Sequence, residues 1–205
     1  MIEKAYINSL MSAAAYVDWS KTNAEIRAAL LNESGLTEQQ INETFLDPQA
    51  KFTLYSYAEY SSGFSATIFK ERATGALTVA FRGTELEDIV ADGIADLLVL
   101  LGNPNSVLGL FFNQSNNIGD FLSAAGLDVD GRLQQPLNFT GHSLGGYLAL
   151  MAGYQYSADF GQINTYNGLG MRRTEALDET IANAFEGIFI DGSRITNYFA
   201  DKGVE

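Results

Sequence analysis

Hydrophobic periodicity in the first 48 residues is that of helices. Apolar side chains recur three or four positions apart in residues 2–17, which places them on one face of an amphipathic helix. Residues 22–32 and 37–46 have similar helical patterns, and Gly35 between them is a typical helix stop. We therefore predict three helices that pack as an amino-terminal layer over a sheet. The alternative is that their apolar face binds a partner.

The hydrophobic period changes at residue 52. Apolar and polar side chains alternate in residues 52–57 and 64–69, which predicts two antiparallel strands, each with one buried face. Residues 77–81 are almost continuously apolar, as expected of a strand that is buried on both faces of a central sheet. The chain therefore passes from helices to a sheet in this region.

The remainder of the chain alternates between helical and strand patterns. Helices are predicted at residues 88–101, 107–125, 144–156 and 172–185, and strands at residues 137–140, 162–166 and 194–199. Such alternation is typical of a mostly parallel sheet with right-handed crossovers. The chain has 205 residues and no linker or internal repeat. We therefore predict one α/β domain over residues 1–205, with residues 1–48 as its helical layer.

Composition and charge exclude several functions. The chain has 12 basic and 25 acidic residues, a net charge of −13, whereas nucleic-acid binding requires a basic surface. The absence of cysteine excludes disulfides and thiolate metal sites. Residues 128–131 resemble the start of a calcium loop without its later ligands, so we interpret them as a turn and predict no metal and no cofactor. We expect neither a signal peptide nor a membrane span.

The strongest chemical signal is the sequence GHSLG at residues 141–145, between a predicted strand and a predicted helix. This context is typical of a nucleophile elbow, a sharp strand-to-helix turn that exposes a serine hydroxyl. The flanking glycines allow such a turn. We therefore predict that Ser143 is a nucleophile and that the backbone N–H of Leu144 donates to the developing oxyanion. The alternative is a glycine-rich turn with an incidental serine.

Additional motifs resemble those of a known enzyme family. The sequences FRGT at residues 81–84 and TGHSLGG at residues 140–146 resemble the class 3 lipase family of α/β-hydrolases. Residues 63–66, 81–85 and 165–170 are similar to the bacterial repeats-in-toxin branch of lipases. The resemblance covers residues 52–201 and implies an α/β-hydrolase fold, with a mostly parallel sheet and flanking helices.

The resemblance also implies roles for residues outside the elbow. It assigns Thr84 to the oxyanion hole through its backbone N–H and hydroxyl, although a threonine that caps the next helix is the alternative. It assigns the triad acid to Asp201, just after the last predicted strand, with Asp191 as the second candidate. Both aspartates are otherwise ordinary solvated carboxylates. Arg82 is expected to hold its loop through ion pairs.

A general base for Ser143 is missing from this assignment. In this fold the catalytic histidine follows the acid, yet the only histidine of the sequence, His142, precedes the nucleophile. An elbow directs that side chain away from the serine, so we expect His142 to be a buried, hydrogen-bonded packing residue. We therefore expect a domain that lacks the final strand, the histidine loop and a closing helix. Its last strand would then be an exposed edge suited to self-association.

Together these features predict a serine carboxylic-ester hydrolase of the triacylglycerol lipase or phospholipase A1 type, poorly active as this fragment. One alternative is an inactive module that binds acyl chains or a partner protein, and another is an enzyme that transfers the acyl group to an alcohol. The expected substrate is an ester lipid or a small ester. Apolar residues 97–112 are either a lid that contacts a lipid interface or helix core. Secretion is implied by the resemblance alone.

Overall fold

A computed structural model describes residues 2–83, 104–167 and 190–199 of the protein. Its amino-terminal layer contains three helices, α1 (Ile2–Ala14), α2 (Asn23–Asn32) and α3 (Glu38–Ile41), and α3 continues as a π-helical turn over Asn42–Leu46. Capping boxes define the starts of α2 and α3, because Thr22 pairs with Glu25 and Thr37 pairs with Gln40. The three predicted helices are thus confirmed.

Eight strands follow in the described part of the chain. A six-stranded sheet contains, in spatial order, β1 (Phe52–Glu59), β2 (Ser65–Glu71), β3 (Leu77–Phe81), β6 (Leu137–His142), β7 (Ile163–Tyr166) and β8 (Ile195–Tyr198). The pairs from β1 to β3 are antiparallel, whereas the pairs from β3 to β8 are parallel. A small separate hairpin pairs β4 (Asp128–Val129) with β5 (Arg132–Leu133). Residues 128–131 therefore form a strand end and a turn.

Two further helices cover one face of the sheet, opposite the amino-terminal layer. They are α4 (Pro104–Ala124) and α5 (Leu144–Gln155). Strands β3, β6 and β7 are added in one direction across the sheet, and right-handed crossovers then place α4 and α5 on the same face. One apolar core lies between the sheet and α4–α5, and a second lies beneath α1–α3. Successive side chains along a strand point alternately into one core and into the other.

This architecture confirms the predicted α/β class, a mostly parallel sheet with flanking helices. The helices predicted at residues 88–101 and 172–185 lie outside the described residues. Several predicted boundaries differ by up to three residues. The first helix ends at Ala14 instead of residue 17, β1 extends to Glu59 instead of residue 57, β6 extends two residues further, to His142, and the helix predicted from residue 107 begins at Pro104. Within the described ranges, no helix is long and apolar enough to cross a membrane.

Candidate active site

Ser143 lies at the junction between the last residue of β6 and the first residue of α5. Its backbone has φ 54° and ψ −124°, a sparsely populated conformation that costs a non-glycine residue about 1–3 kcal/mol. Two hydrogen bonds hold this backbone conformation. The N–H of Ser143 donates to the carbonyl of Tyr166 (3.1 Å), and the N–H of Gly146 donates to the carbonyl of Ser143 (3.0 Å). Ser143 is a half-buried residue, and its side chain does not cap the helix. The turn has the strain that a nucleophile elbow requires.

Two glycines allow the elbow to approach its neighbouring strands. A Cβ added to Gly141 would overlap the backbone carbonyl of Gly145, and a Cβ added to Gly145 would overlap the carbonyl oxygen of Phe81. Both clashes are with backbone atoms, which cannot rotate away as a flexible side chain can. The first turn of α5 therefore packs directly against the end of β3. Gly146 donates its N–H to the carbonyl of Ser143, whereas the first N–H group of a helix, here that of Leu144, has no acceptor within the helix and can donate to an anion.

The end of β3 is fixed by the side chain of Arg82. Its Nη2 donates to Oε1 of Glu59 at 2.6 Å, and its backbone N–H donates to the carbonyl of Ser65 at 3.0 Å. The Arg82 side chain is 17% exposed and that of Glu59 is 46% exposed, so the ion pair lies at the surface with its arginine partly buried. Arg82 thus holds the start of its loop through an ion pair, as predicted. Thr84, the predicted oxyanion residue, lies outside the described residues and stays a prediction.

His142 faces the amino-terminal layer. It occupies the same row of the sheet as Tyr166, on the face covered by α1, and its Nδ1 is 3.4 Å from the hydroxyl of Tyr16. Burial lowers the pKa of His142 below its ordinary value. Among the described residues it has no hydrogen bond with Ser143. The side chain is half-buried, so it is more exposed than the sequence predicted, but it is hydrogen-bonded as expected.

The two candidate acids differ in their position relative to β8. Asp191 precedes the strand and caps the short 3₁₀-helix Gly192–Arg194, accepting hydrogen bonds from the N–H (3.0 Å) and hydroxyl (2.7 Å) of Ser193. These bonds lower the pKa of Asp191. The length of β8, about 13 Å, separates it from the carboxyl edge that carries Ser143, so Asp191 is excluded. Asp201 comes three residues after β8 in the sequence, lies outside the described residues and stays a prediction.

Contacts between β7, β8 and α1 beside the elbow were not predicted. Thr165 donates through its hydroxyl to Oδ1 of Asn197 at 2.5 Å, and the rings of Tyr166 and Tyr198 stack with centroids 5.0 Å apart. The hydroxyl of Tyr166 also donates to the carbonyl of Ala5 in α1. The sequence indicates only that β7 and β8 are strands. Which residues face each other depends on the register of the two strands in the folded sheet. These contacts fix β7, whose Tyr166 carbonyl accepts the hydrogen bond from the N–H of Ser143.

No group of three or more acidic or histidine side chains suited to a metal ion occurs in the part of the chain that the structure describes. Residues 97–103 of the segment predicted as lid or helix core lie outside that part. The remainder forms the first turns of α4.

Solved structures with a similar fold are fungal lipases. A Rhizomucor miehei lipase–propeptide complex is 14% identical, with 82% of this chain and 52% of that chain covered and a TM-score of 0.43. A fungal lipase–inhibitor complex is 13% identical, with 99% and 72% covered and a TM-score of 0.49. A triacylglycerol lipase from Penicillium expansum is 14% identical, with 80% and 59% covered and a TM-score of 0.38. The chain thus spans about half of the Rhizomucor protein.

A comparison with curated protein sequences found no match. The closeness to repeats-in-toxin lipases stays a prediction. A family model, in contrast, matches almost the whole chain, from residue 8 to residue 201, and includes the elbow. The chain belongs to the family of Tle-like phospholipase domains.

Proposed function

We propose that this protein hydrolyses carboxylic esters of lipids through an acyl-enzyme formed on Ser143. The observation that carries the proposal is the backbone of Ser143, with φ 54° and ψ −124° between β6 and α5. A serine held in this strained turn presents its hydroxyl at the carboxyl edge of a parallel sheet. Membership of a phospholipase-like family supports the same reaction class.

The chemistry proceeds in two displacement steps. In the first, Oγ of Ser143 attacks the ester carbonyl carbon while a base removes the hydroxyl proton. The tetrahedral intermediate collapses, the C–O bond to the alcohol breaks, and the alcohol leaves with the proton. In the second step, water attacks the acyl-enzyme, its proton passes to the same base, and the carboxylic acid leaves as Ser143 regains its proton.

Backbone groups at the start of α5 stabilise the oxyanion in this proposal. The N–H of Leu144 donates to it, because the first turn of the helix has donors without intrahelical acceptors. Thr84 supplies the second set of donors, two residues after the ion-paired Arg82. The carboxylate of Asp201 orients the imidazole of the base. His142 is not that base, because it faces α1 and contacts Tyr16, so the proposal requires a histidine that this sequence does not contain.

The substrate class that we propose is a glycerophospholipid ester. The family description supports a phospholipid over a triacylglycerol. Phospholipids aggregate, so a protein that hydrolyses them works at a lipid surface.

The position of His142 also favours a second candidate function. If no histidine reaches Ser143, the same site serves as part of a non-catalytic module that binds acyl chains or a protein. The two functions differ in one respect that is easily measured, namely whether Ser143 is needed for turnover.

Kinetics of the full-length protein on phosphatidylcholine vesicles distinguish these functions. We expect Ser143→Ala to lower the rate of fatty-acid release by about 10⁴-fold or more, because removing the nucleophile removes the acyl-enzyme route. The matched control is Ser20→Ala, a change at an exposed serine of the amino-terminal layer, and it should retain the wild-type rate. Wild-type turnover by Ser143→Ala would contradict the proposed function. Vesicle binding without turnover by the wild type would favour the binding module.

A further inference from the structure

The hydroxyl of Tyr16 lies where three parts of the candidate active site converge. Tyr16 follows α1 by two residues, and its hydroxyl is 3.4 Å from Nδ1 of His142, at the end of β6. The ring of Tyr16 lies against the imidazole, with centroids 6.4 Å apart and planes inclined by 59°. His142 is bonded directly to Ser143, so this contact is one residue from the nucleophile.

The same hydroxyl also fills a notch at the end of β3. Gly83 has no side chain, and a Cβ added there would overlap the hydroxyl oxygen of Tyr16. That Cβ would also lie 2.9 Å from the carbonyl oxygen of His142 and 3.4 Å from the backbone nitrogen of Gly145. The hydroxyl of Tyr16, the end of β6 and the first turn of α5 therefore all lie within 3.4 Å of the point where a Cβ of Gly83 would be.

The backbone on both sides of Tyr16 is held firmly. Val17 is 2% exposed, and the indole of Trp19 donates to the carbonyl of Ala14 at 2.9 Å. Trp19 packs edge-on against Phe69 of β2, with ring centroids 5.1 Å apart. Because the chain that carries Tyr16 is anchored in the core, little entropy is lost when the hydroxyl is placed in the notch.

Tyr6, a second tyrosine of the amino-terminal layer, differs from Tyr16 in what its hydroxyl contacts. Tyr6 lies in α1 and is 48% exposed, and its hydroxyl accepts a hydrogen bond from Nε2 of Gln40 at 2.7 Å. That bond joins two helices of the outer layer. The hydroxyl of Tyr16 instead joins the layer to strand ends beside Ser143, so the two residues form a matched pair for experiments.

We propose that Tyr16 is a positioning residue for ester hydrolysis, whose hydroxyl holds the chain at Gly83 against the chain at His142. It thereby fixes the position of Ser143 relative to the end of β3. This inference rests on the proposed function, because it assigns the amino-terminal layer a part in that reaction. The contacts described for Tyr16 are with His142 and with the chain at Gly83, so the role that we assign to it is exerted through these neighbours.

The test measures kcat and KM of the full-length protein on a soluble short-chain ester, with active sites titrated by an organophosphonate. Tyr16→Phe keeps the ring and removes the hydroxyl. We expect kcat per titrated site to fall about 10-fold with KM unchanged, since a lost hydrogen bond that displaces catalytic groups affects the transition state most. Tyr6→Phe should leave kcat unchanged. The proposal would be overturned if Tyr16→Phe left kcat per titrated site unchanged, even if it lowered the fraction of molecules that the organophosphonate titrates. Tyr16 would then be a packing residue.

A double-mutant cycle shows whether Tyr16 acts through its neighbour. His142→Gln removes the imidazole, and we expect Tyr16→Phe to lower kcat little further in that background. Independent, fully additive effects would contradict the proposal. If Tyr16→Phe fails to fold, His142→Gln alone should lower kcat, and a wild-type kcat in this variant would also overturn it.

Ser143→Ala in the same assay separates this inference from the proposed function. If it keeps wild-type turnover, the proposed function fails, and the positioning role fails with it. If it abolishes turnover while Tyr16→Phe equals the wild type, only the positioning role is wrong.

Discussion

The two faces of the central sheet are built differently. The face covered by α4 and α5 is apolar, with phenylalanines from four segments in contact, among them Phe64, Phe81 and Phe139. The face covered by α1 also has an apolar core, but hydrogen bonds cross it. Ser12 of α1 lies 2.8 Å from the hydroxyl of Thr140 in β6, and Tyr16 contacts His142 on the same face.

This difference gives the two faces different roles, one in the stability of the fold and the other in the alignment of the site. Apolar contacts on the α5 face are non-directional and bury large areas, so they supply most of the free energy of unfolding. Hydrogen bonds on the α1 face are directional and individually weak, but they end beside Ser143. We infer that the α5 face holds the elbow in place and that the α1 face determines its alignment.

The largest expected change in the free energy of unfolding comes from a substitution on the α5 face. Phe139→Ala removes a fully buried ring from β6 and should lower the free energy of unfolding by about 3–5 kcal/mol, because it leaves a cavity in a packed core. Urea unfolding monitored by circular dichroism measures this change. Phe199→Ala is the matched control, since Phe199 is 66% exposed and should change stability by less than about 0.5 kcal/mol. Equal effects of the two substitutions would contradict the assignment of the core.

A slightly smaller effect is expected where α5 approaches β3. In Gly145→Ala the new methyl group would overlap the carbonyl oxygen of Phe81, and the backbone must move to accommodate it. We expect a loss of about 3 kcal/mol in the free energy of unfolding. In Gly192→Ala, by contrast, the added Cβ meets no atom within 4 Å, and thermal melting should be almost unchanged. A harmless Gly145→Ala would show that the elbow is loosely packed.

On the α1 face the expected effect is smaller again. Ser12→Ala removes the contact with Thr140, whose hydroxyl still donates to the carbonyl of Asn164 at 2.9 Å. Because no buried donor loses its acceptor, the cost should be about 1 kcal/mol in urea unfolding. Ser9→Ala, one turn earlier in the helix, removes only a local bond to the carbonyl of Tyr6 and serves as the control. A loss as large as that of Phe139→Ala would contradict the contrast between the faces.

The smallest effect is a pH dependence that originates at His142. Burial lowers the pKa of His142 in the folded state below the ordinary value of 6.5. As the pH falls below 6.5, the unfolded state binds a proton first, so the free energy of unfolding decreases until the pH has passed the folded-state pKa. His142→Gln should remove this decrease from the stability measured between neutral and mildly acidic pH. Identical pH profiles for wild type and variant would exclude a buried, neutral imidazole.

Much of the fold could be predicted from the sequence because the hydrophobic pattern reflects burial. The apolar run at residues 77–81 became the fully buried β3, and the alternating run at residues 52–57 became the edge strand β1. That strand continues to Glu59, and a bulge between Leu54 and Ser56 shifts its register. A bulge depends on pairing with β2 and leaves no mark in hydrophobic periodicity.

The candidate site could be predicted only where its chemistry is local. The turn at Ser143 follows from a short glycine-flanked motif, and its strained backbone agrees with that prediction. The contact of Tyr16 with His142 joins residues 126 positions apart, so no spacing rule indicates it. The exclusion of Asp191 likewise required the folded sheet, because only the strand direction shows which end of β8 it occupies.

The most direct test of the central claim is a covalent one. The full-length protein is treated with a fluorophosphonate, digested, and analysed by mass spectrometry for a phosphonylated residue. We predict a single adduct on Ser143 that is absent from Ser143→Ala, because only a serine activated by a base attacks phosphorus at a useful rate. An adduct on another serine, or none on the folded protein, would contradict the assignment of Ser143 as the nucleophile.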